Sequence, residues 1–162
     1  MSNELDRIIS RIQSIQSFNI YKILDTGEVE PWYEVVGASI VPELVIREHT
    51  VLEEAQTVAG QIMHWGRMVA QCKRVWEIEE RNYRIWRDGR FVVLSTPPEG
   101  EKKPSEKLID ATIRTDPDYR QWYVRQERAE EAYNAAMLVL NGWRAKKDML
   151  ETSMIQRLEN SR

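Results

Sequence analysis

Cysteine is almost missing from this 162-residue chain: Cys72 stands alone, which excludes an internal disulfide and fits a reducing, cytoplasmic setting. Histidine is nearly as scarce. His49 and His64 show no HExxH spacing and have no cysteine pair near them, so no metal-ligand pattern is present. There is no P-loop and no GxGxxG fingerprint, and no Ser/His/Asp or Cys/His arrangement is legible. These gaps argue against an enzyme and imply no cofactor. No apolar run approaches the length of a membrane span, and the opening MSNELDRIIS lacks the basic start and apolar core of a secretory signal. Proline is absent from 43–96 and again after Pro117, so two long stretches carry no helix breaker. A strong excess of one charge is also lacking: the net charge of -3 advertises no bulk positive field.

Charge is nevertheless uneven. Residues 1–50 carry 4 Lys/Arg against 8 Asp/Glu, residues 104–162 carry 10 against 10, and residues 67–90 carry 7 against 4. The basic excess ends in RVWEIEERNYRIWRDGR, which holds five arginines and the aromatics Trp76, Tyr83 and Trp86.

Apolar spacing divides the chain into an arm and a core. Leu5, Ile8, Ile9, Ile12 and Ile15 predict a short amphipathic helix. NIYKILDTGEVEPWYEVVGASIV predicts a β-hairpin around Asp25-Thr26-Gly27. Residues 1–45 are therefore an N-terminal arm, and 46–162 a long-helix hairpin core with a connecting loop near 88–104. Thr50 with Glu53 offers a capping box for the first long helix. Along it Ala55, Ile62, Val69, Trp76 and Tyr83 recur every seven residues, accompanied by Val58, Trp65, Cys72, Glu79 and Trp86. Glu79 breaks this seam near its end, where exposure is expected. Asp88-Gly89 is expected to end the helix, with Arg90–Leu94 as a short strand. Leu108, Ile109, Thr112 and Ile113 give a short helix. Thr115/Asp116 and Pro117 then open a last helix running to about Leu158, with rows at Trp122, Ala129, Ala136, Trp143, Leu150 and at Gln126, Tyr133, Leu140, Lys147, Met154. The expectation is a mainly α fold: a long antiparallel helical hairpin with an N-terminal helix and a small β-hairpin arm, assembling as an oligomer to cover leftover apolar surface.

The arginines are the best candidates for function. Guanidinium groups contact phosphates bidentately and stack on bases. Lys73, Arg74, Arg81, Arg84, Arg87 and Arg90 are the nucleic-acid candidates, with Arg74, Arg81 and Arg84/Arg87 expected on roughly one side. Trp86 is the candidate for stacking on an unpaired base. The bland alternative is that the aromatics pack in the seam and the arginines pair with Glu77, Glu79 and Glu80.

Three blocks between Val51 and Leu158 carry a resemblance: LEEAQTVAGQIMHWGRMVAQCKRVWEIEERNY, KPSEKLIDATIRTDPDYRQW and AYNAAMLVLNGWRAKKDMLETSMIQRLE. Together they resemble the UvsY-type recombination mediators of tailed bacteriophages. Lys73-Arg74 matches a basic step of that family, whereas Glu79-Glu80 departs from its pattern. The resemblance implies a non-enzymatic protein that binds single-stranded DNA and forms ring-like homo-oligomers. It also implies help in loading a RecA-like recombinase onto DNA covered by a single-strand-binding protein, in the host cytoplasm if the chain is phage-encoded. Two other classes fit the helices: a structural coiled-coil or scaffold subunit, and a protein-binding adaptor without DNA affinity.

Overall fold

The computed structural model describes residues 3–47 and 49–161. Among them the order is α1 (Glu4–Gln13), β1 (Ser17–Ile23), β2 (Val29–Val36), α2 (Gly37–Leu44), α3 (Val51–Ser95), α4 (Glu106–Thr115) and α5 (Tyr119–Asn160). The protein is mainly helical, as its periodicity predicts. With 45 and 42 residues, α3 and α5 are about 68 and 63 Å long at about 1.5 Å per residue. Their contacts run in opposite senses, so the pair is an antiparallel hairpin. Glu54 meets Lys146, Trp76 stacks on Tyr133 at 5.5 Å, Glu79 meets Arg125, and Tyr83 meets Tyr119 and Tyr123.

The predicted rows largely form this seam. Val58, Trp65, Val69 and Cys72 are buried against Ala129, Ala136, Leu140, Trp143 and Leu150. α5 buries more than one stripe, however. Ala132, Ala135 and Val139 are also buried, because α1 and β1 pack on a second face of α5. On α3, by contrast, Ala59, Gly60 and Ala70 face solvent, while Ala55 and Gly66 are half-buried. The arm thus shares one apolar core with the hairpin, through Leu5, Ile8, Ile12, Phe18, Ile20 and Leu44.

Local chemistry sets the arm's shape. Asn3 and Asp6 form a reciprocal capping box at the start of α1. Gly27, at φ 83°, turns the hairpin where Asp25-Thr26-Gly27 predicts it. The register slips between Ile20 and Tyr21, so that Ile20 opposes Tyr33 while Tyr21 opposes Pro31. Trp32 is the extra residue of this bulge and lies 56% exposed. Gly37 must be glycine, because a Cβ there would run into the carbonyl oxygens of Ile12 (2.5 Å) and Ile15.

Several expectations are corrected. GASIV is not part of the hairpin: β2 stops at Val36 and residues from Gly37 form α2. Thr50 and Glu53 make no capping box, because the Thr50 hydroxyl donates instead to Glu54 Oε1 at 2.7 Å. Asp88-Gly89 does not end α3, and Arg90–Leu94 is no strand. The helix continues to Ser95, so the connection spans 96–105. One glycine inside a helix costs about 1 kcal/mol. Contacts of the last turns with α4 outweigh that cost, and Pro97-Pro98 supplies the stop. α5 begins at Tyr119, two residues after Pro117, while Asp116 Oδ1 accepts the Asp118 amide at 2.9 Å.

Candidate nucleic-acid interface

The predicted cationic residues all lie on α3, but the structure distributes them over different faces. Residues seven apart return to nearly the same side of a helix, about 10.5 Å further along. Arg67, Arg74 and Arg81 therefore form a single outward row. All three are exposed, and among the described residues none of them makes an ion pair or hydrogen bond. Lys73 is likewise exposed and unpaired, about 100° round from Arg74. Arg67, one heptad before Arg74 on the same line, extends the row beyond the six cationic candidates named above.

The other three arginines are engaged within the chain. Arg84 pairs with Glu80 one turn back, at 3.1 Å. Arg87 donates to Asp110 of α4 at 3.0 Å, and Arg90 pairs with Asp116. Asp116 is held below the ordinary carboxylate range, first by the Asp118 amide and then by Arg90. Arg87 and Arg90 lie about 120° and 180° round from Arg81. The expectation that Arg87 shares a side with Arg74 and Arg81 is thus corrected: it faces α4 and helps to hold that helix down.

Trp86 does not stand free as a stacking platform. It is half-buried, with its ring 6.3 Å from Tyr119 and 6.2 Å from Tyr83, and Tyr119 stacks on Tyr123 at 5.5 Å. These four rings fill the loop end of the hairpin, with the buried Ile113 of α4 beside Tyr83 and Tyr119. Burial and the neighbouring Tyr119 push the Tyr83 hydroxyl above its ordinary value.

Glu79 is corrected as well. It is 3% exposed, not solvated, and pairs across the seam with Arg125: Nη2 lies 3.0 Å from Oε1 and Nε 2.9 Å from Oε2. This removes one carboxylate from the outer face of α3. Glu77 remains exposed between Arg74 and Arg81. Lys147, expected in the α5 seam, is exposed, and its neighbour Lys146 is the buried one. Cys72 is buried, and burial pushes its thiol up to about 11. Among the described residues no group of three or more His, Cys, Asp or Glu is placed to hold a metal ion. No helix among them is long and apolar enough to cross a membrane.

The outer face of α3 can therefore offer three evenly spaced guanidinium groups to a polyanion. Their spacing of about 10.5 Å corresponds to roughly every third phosphate of a stacked strand, at about 3.4 Å per nucleotide. No family model matches the chain, and no curated protein or solved structure matches it.

Proposed function

We propose that this protein binds single-stranded DNA through the Arg67, Arg74 and Arg81 row of α3, with Lys73 beside it. On this reading it acts without catalysis, as a recombination mediator that loads a RecA-like recombinase onto strands covered by a single-strand-binding protein. The observation that carries the DNA reading is the row itself: three exposed guanidinium groups that make no ion pair among the described residues, with the exposed Glu77 three and four residues from Arg74 and Arg81. The mediator role follows from the resemblance of residues 51–158. One subunit offers few contacts, so a homo-oligomer, ring-like in that family, would multiply them by avidity.

The test is a titration of a labelled single-stranded oligonucleotide at three salt concentrations. Three phosphate contacts predict a log–log salt slope of about -2 per subunit, since each contributes about -0.7 on single strands. Arg74→Ala should flatten that slope by about 0.7, whereas Arg87→Ala should leave it unchanged. Absence of binding at low salt sinks the reading. A second reading, a structural or adaptor protein, draws on the exposed apolar side chains Ile85 and Val92 of the same helix, and it predicts assembly without DNA affinity.

A further inference from the structure

The arm leaves one length of α3 uncovered. The hairpin tip, from Leu24 to Glu30, reaches only as far as Asn82 and Arg125. Beyond that point α5 takes the face of Glu79 and Tyr83, and α4 takes the face of Arg87 and Arg90. Outward there remain Ile78, Ile85 and Val92, recurring every seven residues. Ile85 is 65% and Val92 62% exposed, and Ile78 is half-buried. Asn82 and Gly89 follow the two isoleucines by four residues. This is the spacing of a heptad seam with the apolar residues at d and Asn/Gly at a. No atom lies within 4 Å of where a Gly89 Cβ would sit, so another helix has room to approach closely. On the solvent flank, at g, stand Arg81 and Asp88, opposite charges one heptad apart.

We propose that a second copy of this chain docks on this ridge, its α3 antiparallel to the first, with a two-fold axis passing at Ile85. In that register Ile85 meets Ile85, Ile78 meets Val92, and Arg81 of each copy meets Asp88 of the other. The charge pattern is complementary to itself, as a closed two-fold contact requires. Antiparallel helices set g against g, so both ion pairs form. A parallel pairing would set each charge beside the other chain's Trp86 or Val93 and leave it unanswered. The overlap runs about 21 Å from Ile78 to Val92, and the arm's tip borders it at Asn82, on the side of Trp122 and Arg125 of α5. Arg67 and Arg74 of the two copies then extend from opposite ends of the pair, while Arg81 is drawn into the seam, which leaves two of the three phosphate contacts per subunit and a salt slope of about -1.4 in the paired state. The contact stands whether or not the protein binds DNA. It also differs from a ring contact, because a two-fold interface closes on itself.

Cross-linking reads the axis directly. A cysteine on the axis must link to itself, so Ile85→Cys is expected to give a covalent species of twice 19.1 kDa on mild oxidation. Ile78→Cys alone should not cross-link, but an equimolar mixture of Ile78→Cys and Val92→Cys should. These positions are exposed or half-buried in the single chain, so folding is preserved, and buried Cys72 stays silent. Sedimentation supplies the second measurement: Asp88→Arg should dissociate the pair, and Arg81→Asp with Asp88→Arg should restore it. The proposal is overturned if the wild-type chain stays at 19.1 kDa across a concentration series. It is equally overturned if Ile85→Cys fails to link, or if the double exchange fails to restore association.

Discussion

Lys146→Met tests how firmly the arm is clasped to the hairpin. The Lys146 side chain is 4% exposed and that of its partner Glu54 14%. Nζ lies 2.9 Å from Glu54 Oε2, donates to the Glu43 carbonyl at 2.6 Å, and sits 5.4 Å from the centre of the Trp143 ring. One ammonium group thus joins the end of α2, the first turn of α3 and the body of α5. Methionine keeps most of the apolar stem but strands the Glu54 carboxylate and the Glu43 carbonyl. Breaking a buried pair on one side costs about 3–5 kcal/mol. Glu54 still accepts from Thr50 Oγ1 and from the Arg47 amide, which places the loss near the lower end, about 3 kcal/mol. For a chain of this size that is a fall in Tm of roughly 6–12 °C. Thermal unfolding followed by circular dichroism measures it. Adding Glu54→Gln should recover at least half of the loss, because the stranded charge is gone. Acid should narrow the gap as well. Burial alone would raise the Glu54 pKa, but Thr50, Lys146 and the Arg47 amide together hold it below 4.5. Its contribution is therefore present above 4.5 and lost as pH falls through the lower folded value, so wild type and variant should converge there. A single variant that melts within 2 °C of wild type, or a double variant that loses the sum of both changes, would refute the account.

Two further outcomes follow from packing. Gly37→Ala forces a methyl group against two backbone carbonyls, which cannot yield as a flexible side chain can. Its loss should reach or exceed the roughly 1–3 kcal/mol of ordinary overpacking, read as a lower denaturant midpoint, and an unchanged midpoint contradicts the close approach of α2 to α1. The Cys72 thiol, pushed up to about 11 by burial, should resist a thiol reagent at pH 8 in the native protein and react fully in denaturant. Rapid labelling of the native chain would show that the α3–α5 seam opens there.

Heptad rows are visible in one dimension because an α-helix returns a residue to the same side every seven positions. That is why Val58, Trp65, Cys72, Ala129, Ala136 and Trp143 could be named as a seam, and why the long antiparallel hairpin could be read before its contacts were known. The turn at Gly27 is equally local: a positive φ calls for glycine. The end of α3 was not legible, since Asp88-Gly89 carries the signature of a helix stop. It is overridden by Asp110 and Asp116, which meet Arg87 and Arg90 from more than twenty residues away. The fate of Glu79 was equally hidden, because only folding brings Arg125 to it. The sequence by itself therefore determined that two long stretches are helical, where their main apolar rows run and where positive charge accumulates. Only the tertiary structure decided which of those charges are neutralised, leaving Arg67, Arg74 and Arg81 free and tying Arg84, Arg87 and Arg90 down. An ion pair is a matter of a few ångströms between groups that can be far apart in the chain, and spacing along the chain does not encode that distance.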